Sequence, residues 1–128
     1  LVARQADWWN YWLSGTSADG FRYKLGVLQR CCAEIGRDFQ TLGKSTIGPV
    51  MLAETKHELD LLIAEAEKKE AHFKLGTRLG LVGTPDTIIQ RIEEYRQLGV
   101  SLFIVIPFPF TRTAFLELFA EKVVAQVR

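Results

Sequence analysis

The stretch GTPDTIIQRIEEYRQLGVSLFIVIPFPF, residues 83–110, decides how the chain is read. Thr84 can cap a helix, Pro85 suits the first helical position because its missing N–H would have no partner there, and Asp86 complements the positive end of the helix dipole. Ile88, Ile92 and Tyr95 then fall on one helical face, widened by Ile89 and Leu98, and Gly99 stops the helix. Residues 100–106 follow at once as an apolar run broken only by Ser101. Such a run predicts a strand buried on both faces, as in a parallel sheet. Helix, glycine turn and buried strand make half of a β/α repeat.

Working outward from this unit, Phe115, Leu118, Phe119 and Val123 mark a last amphipathic helix beyond the Pro107–Pro109 exit. Upstream, residues 54–73 carry a helical stripe of Leu59, Leu62, Ile63, Ala66 and Phe73, with Glu58, Glu65, Lys68 and Lys69 on the solvated side. Residues 74–82 read as a glycine-punctuated connector. LGKSTIGPVMLA, residues 42–53, predicts a strand that Gly48 and Pro49 interrupt or bend. Phe21, Leu25, Leu28, Cys32 and Ile35 define another helix, which Gly36 ends. Before it come a polar loop, a short aromatic strand around Trp8, Trp9, Asn10, Tyr11 and Trp12, and a helix tail at residues 1–6. The alternation predicts an α/β fold with a parallel sheet and covering helices, either an open sheet or an arc of a β/α barrel.

The chain has 128 residues, 48% hydrophobic and 24% charged, which suits a single compact domain. A chain of this size can bury roughly two-thirds of its unfolded surface without metals or disulfides. Its 16 Lys and Arg against 15 Asp and Glu leave a net charge of +1, so nothing electrostatic points to nucleic acid or an anionic membrane. Cys31 and Cys32 are neighbours on a helix, where side chains diverge by about 100°, and so are poor disulfide partners. They read as small packing residues in a reducing compartment. No segment reaches the roughly 20 apolar residues of a membrane span, and LVARQADWW has no signal-peptide core, so a cytoplasmic protein is expected.

In α/β proteins ligands gather at the C-terminal ends of the strands. The aromatic exits, Trp8, Trp9, Tyr11 and Trp12 at one strand and Phe108 and Phe110 at another, offer flat walls for a planar ligand, and Asn10 could hydrogen-bond it. Core packing or a subunit interface uses the same residue types. Arg112 could contact a phosphate or carboxylate; Lys44 and Ser45 offer a weaker case. His57 and His72, fifteen residues apart on one helix, lie about 22 Å from each other and cannot share a metal. Asp60, Glu65, Glu93 and Glu94 read as solvated helix faces. No nucleophile elbow, dinucleotide fingerprint or P-loop is present, and these residues name neither a metal site nor a catalytic group.

Two stretches carry a family resemblance. ADWWN (residues 6–10) resembles the signature ADGWN, and LVGTPDTIIQRIEEYRQLGVSLFIVIPF (residues 81–108) resembles the block GTPEQVAERLRAYADAGV, of the bacterial-luciferase-like flavin or deazaflavin monooxygenases. CCAEIGRDFQTLGKS (residues 31–45) is similar to that family's C…GRDP…I..S passage, and the closing LELFAEKVVAQVR to its last helix. The resemblance implies a partial (β/α)8 barrel, about the last three β/α units of the C-terminal part. It also implies FMN or coenzyme F-420 as cofactor and a small organic substrate. Trp9, Asn10, Pro107 and Phe108, with Arg112, would then face the cofactor or substrate cavity. Trp8 replaces the usual glycine, which implies a bulkier wall. Most catalytic groups of the family lie on N-terminal strands, so this segment alone is expected to be inactive. The expected partner is a second copy of the chain or the N-terminal part of the barrel. The alternative reading is a non-catalytic binding or assembly module that uses its aromatic exits and open sheet edges.

Overall fold

The computed structural model describes residues 1–13, 17–69, 80–108 and 113–127. Helix α1 (Val2–Gln5) leads into β1 (Trp8–Trp12), followed by α2 (Asp19–Glu34), a single 3-10 turn (Phe39–Thr41) and β2 (Gly43–Leu52). Then come α3 (Lys56–Lys69), β3 (Leu81–Gly83), α4 (Pro85–Gln97), β4 (Leu102–Pro107) and α5 (Thr113–Phe119). The last helix widens into a π turn (Ala120–Val124) before α6 (Ala125–Val127). All strand pairs are parallel, as the alternation predicts. No helix among the described residues is long and apolar enough to cross a membrane.

The long strand β2 organises the sheet. β4 runs along one side of it from Ser45 to Val50. On the other side β1 pairs with Gly43 to Ile47, and β3 then takes over from Val50 to Leu52. Odd-numbered residues of β2 bond toward this shared edge: Leu13 N–H donates to the Ile47 carbonyl and Ala53 N–H to that of Gly83. Pro49 therefore falls in the gap between the end of β1 and the start of β3, where a missing N–H breaks no ladder bond. The expected interruption at Gly48 and Pro49 does not occur, and β2 is continuous through both.

The gap is filled by Leu13, which is 1% exposed. A Cβ on Gly48 would lie 2.7 Å from Leu13 Cβ, and one on Gly80 only 2.1 Å from it. Glycine at both positions lets the chain leave β1 and β3 enter the same edge. Residues 81 and 82 fall in the expected connector; with Gly83 they form a strand only because β2 offers them a vacant edge.

Alternation gives the sheet two unlike faces. Trp9, Tyr11, Val50, Leu52, Phe103 and Val105 face the helices, packing with Phe21 of α2, Ile88, Ile92 and Tyr95 of α4, and Phe115 of α5. On the opposite, inner face Trp8, Asn10, Trp12, Leu102 and Ile104 are exposed. The expectation that residues 100–106 are buried on both faces is thus corrected. Only the helix side of β4 is covered, and Leu102 and Ile104 stay 45% and 40% exposed. Toward the strand ends α3 closes over the inner face through Leu59, Leu62, Ile63 and Ala66 against Met51 and Phe108.

The local signals explain the rest. Gly36 and Gly99 take φ of +69° and +93°, the left-handed values that end α2 and α4. Pro85 opens α4 as expected, but Thr84 does not cap through its side chain; its hydroxyl lies 3.3 Å from that of Thr87. Thr55 and Glu58 form a reciprocal capping box, which starts α3 at Lys56 rather than at Glu54. Cys31 is exposed and Cys32 buried, both unbonded.

Lys44 is buried under the N-terminal end of the sheet, on the helix side. Its ammonium donates to the Leu42 carbonyl at 3.0 Å and sits 4.2 Å from the Phe39 ring centre. Desolvation pushes its pKa below the usual 10.5. The unfolded chain then holds this proton more tightly, so stability from this group rises with pH as pH climbs through the lowered value toward 10.5. Relative to Lys44→Met, the wild type should gain stability across that window in urea titrations at stepped pH. Parallel profiles for the two proteins would refute this assignment. Burial raises the Tyr95 pKa and works in the opposite direction above pH 10, but equally in both proteins.

Candidate functional site

The aromatic strand supplies two kinds of residue. Trp9 is turned toward the helices, stacked on Phe21 at 5.1 Å and edge-on to Tyr11 at 5.9 Å. Asn10, its neighbour, points to the inner face between the half-exposed Trp8 and Trp12. The two residues expected to share a cavity therefore lie on opposite faces of the sheet, a direct result of strand alternation. Trp8 and Trp12, not Trp9, flank Asn10.

Asn10 is held in place. Ser45, 4% exposed and paired with it across the strands, donates its hydroxyl to Asn10 Oδ1 at 3.0 Å and approaches the Trp9 carbonyl at 3.4 Å. This fixes the amide with its oxygen engaged and its NH₂ donors turned outward. Trp8 lies flat over Gly43, since a Cβ there would come within 2.4–2.7 Å of three indole atoms. The inner face thus presents indole surface on either side of a fixed amide donor. The inner-face positions of β1, β2 and β4 carry no ionisable side chain.

A second feature lies at the strand ends. A groove of about 570 Å³ opens between α3 and α5, floored by Leu52, Ala53 and Phe108 and rimmed by Glu54, Glu58 and Glu65. Phe108 is buried here, its N–H donating to the Val50 carbonyl at 2.9 Å. Pro107, one residue earlier, pairs with Val50 and falls on the helix side. Asn10 is level with Ser45, and Phe108, one residue past the Pro107–Val50 pair, is level with Met51, so they are separated by about 20 Å along the strands. The structure does not bring Asn10 and Phe108 into one cavity within this chain. Arg112 and Phe110 lie outside the described residues, as does His72.

The charged candidates are accounted for by the helix surfaces. His57 is exposed on α3, and Asp60 pairs with Lys56 at 3.1 Å. Glu93 pairs with Arg96, while Glu94 joins Arg22 of α2 to Arg91, tying α2 to α4. Among the described residues no three His, Cys, Asp or Glu side chains gather as a metal site. Trp8 and Trp12 are among the aromatic residues expected to wall a planar ligand, and the alternation of β1 is the signal that separates them from Trp9 and Tyr11 on the helix side.

No family model matches the chain. Solved structures do share its fold. Coenzyme F-420-dependent tetrahydromethanopterin reductase from Methanopyrus kandleri matches 99% of this chain with a TM-score of 0.66 at 14% identity. Long-chain alkane monooxygenase (LadA) matches 98% at 0.63 and 14% identity, and riboflavin lyase (RcaE), solved with modified FMN and riboflavin, 99% at 0.64 and 13% identity. The chain spans 47%, 37% and 39% of these structures respectively, less than half of each. Its architecture is a partial β/α barrel of the kind these proteins have, with parallel strands backed by helices.

Proposed function

We propose that this chain forms part of a flavin- or deazaflavin-dependent oxidoreductase acting on a small organic substrate. The observation that carries the reading is the fixed Asn10 amide between Trp8 and Trp12 on an uncharged sheet face. The fold shared with a reductase that depends on F-420 and a lyase solved with modified FMN supports it, as do the ordered sequence blocks.

The residues present fit a tricyclic ring better than its phosphate tail. Indole surfaces favour a planar, polarisable ring by stacking. The outward NH₂ of Asn10 can donate to a ring carbonyl or ring nitrogen, with Ser45 keeping the amide from rotating. Met51 is covered by α3 and Phe108 floors the separate acidic-rimmed groove at the strand ends, so the wall for the ring is that of Trp8 and Trp12 on β1 with Leu102 and Ile104 on β4. The bound ring would supply the electron or hydride transfer. The part assigned to this chain is to orient that ring and keep water from one side of it; the acid–base groups and the remaining strands belong to the rest of a full-length barrel.

Titrating FMN and F-420 into the protein while following tryptophan fluorescence tests this. Saturable quenching by one of the two is expected, weakened at least about tenfold in Asn10→Ala through loss of the amide donor. No saturable response to either cofactor would refute the reading.

A further inference from the structure

We propose that the wall this chain supplies selects the uncharged ring of FMN over the anionic ring of coenzyme F-420, a selection that rests on the reading above that this face receives one of the two.

The rings differ in two places. The oxidised flavin carries a nitrogen, N5, that accepts a hydrogen bond, where the deazaflavin carries a C–H. The deazaflavin of F-420 also bears an 8-hydroxyl, conjugated across the ring to the pyrimidine carbonyls. Conjugation spreads the charge of its anion, so this hydroxyl is far more acidic than the tyrosine phenol, whose pKa is about 10. At neutral pH that ring is negative.

The inner face suits the uncharged ring. Its positions on β1, β2 and β4 hold indoles, aliphatic side chains, a proline and the Asn10–Ser45 pair, with no cation among them. Lys44 of β2 alternates to the helix side, where the Leu42 carbonyl and the Phe39 ring engage its ammonium. An anionic ring laid on this face exchanges water for apolar surface without a counter-ion, and an unpaired charge is costly to desolvate. Indole faces are themselves negative in their π-systems and attract cations, not anions.

Hydrogen bonding adds to the preference. Asn10 Oδ1 already accepts from the Ser45 hydroxyl, so the amide offers donors to a ligand. A donor finds N5 in the flavin and nothing at the C–H of the deazaflavin; the ring carbonyls are common to both.

Riboflavin, 5-deazariboflavin and 8-hydroxy-5-deazariboflavin share one ribityl tail, so comparing them isolates the ring. Equilibrium dialysis against the protein, read by ligand absorbance, is done above and below the ionisation of the 8-hydroxyl, which its spectrum locates. Riboflavin is expected to bind tightest. Above that pH the 8-oxido ring should bind at least about tenfold more weakly than 5-deazariboflavin, and below it the two should converge. Among the described residues α3 closes over this face through Leu59, Leu62, Ile63 and Ala66. Its Glu58 and Glu65 line the groove at the strand ends, Lys56 pairs with Asp60, and His57 is exposed. His57→Gln should leave the pattern unchanged, which separates the ligand's ionisation from that of the histidine.

Ile104→Lys, at an exposed inner-face site, should strengthen binding of the 8-oxido ring at least about threefold and not that of 5-deazariboflavin, with folding checked by circular dichroism. An 8-oxido ring that binds as tightly as 5-deazariboflavin, or a folded Ile104→Lys that leaves its affinity unchanged, would overturn the selection and leave the ring site standing. No saturable binding of any of the three ligands would overturn both.

Discussion

Replacing Phe21 with alanine is expected to cost about 3–5 kcal/mol of folding stability, the largest effect of any single truncation considered for this chain. Phe21 is fully buried and forms the hinge of an aromatic cluster that joins three elements. Its ring stacks on Trp9 at 5.1 Å and meets Tyr11 and Tyr95 edge-on, both at 5.3 Å. Those contacts fasten α2 to the helix side of β1 and to α4. Truncation removes the transfer energy of the ring and leaves a cavity whose walls cannot collapse, because β1 is held by β2 and Tyr95 by its own helix. Phe21→Leu, which keeps most of the volume, should cost about 1–2 kcal/mol. Urea unfolding of both variants checks this. Equal, small losses would mean that the cluster does not bear on stability as described.

The second large effect belongs to Gly48. Alanine at this position puts its Cβ 2.7 Å from Leu13 Cβ and 3.2 Å from the Leu13 carbonyl oxygen, and neither neighbour can move freely. Leu13 is pinned by its N–H bond to Ile47 at 2.7 Å, and β2 is paired on both sides. Overpacking of this kind costs about 1–3 kcal/mol. Leu13→Gly alone should lose at least about 2–5 kcal/mol as a core truncation. The double variant should lose clearly less than the sum, since removing the Leu13 Cβ takes away the atom that the added methyl would meet. Strict additivity would contradict the claim that β1 and β3 share one edge of β2 through this contact.

What could be read from residues alone was whatever short-range chemistry decides. Pro85, Asp86 and Gly99 bound α4 because caps, dipoles and positive φ are properties of a few neighbouring residues. The capping box of Thr55 and Glu58 was equally local and could have placed the start of α3. β3 could not be read this way. Leu81, Val82 and Gly83 carry no strand signature of their own; they pair because β1 ends at Trp12 and leaves part of β2 bare. Pro49 misleads for the same reason, since its cost depends on whether a partner strand needs its N–H, and at that point none does. The run at residues 100–106 reads as buried on both faces, yet what lies against its inner side is set by elements beyond its own sequence. At the candidate site the aromatic strand was recognised but its phase was not: the face of each tryptophan follows from which residues the helices cover, and Phe21 claims Trp9.

The central claim is that the inner face around Asn10 receives a flavin or deazaflavin ring. The most direct measurement follows the three indole N–H resonances of Trp8, Trp9 and Trp12 by nitrogen–proton correlation spectroscopy as FMN or F-420 is added. The account predicts that the signals of Trp8 and Trp12 shift together and saturate with one of these cofactors, while that of Trp9, stacked on Phe21 behind the sheet, stays in place. Three unmoved signals with both cofactors, or a response confined to Trp9, would contradict it.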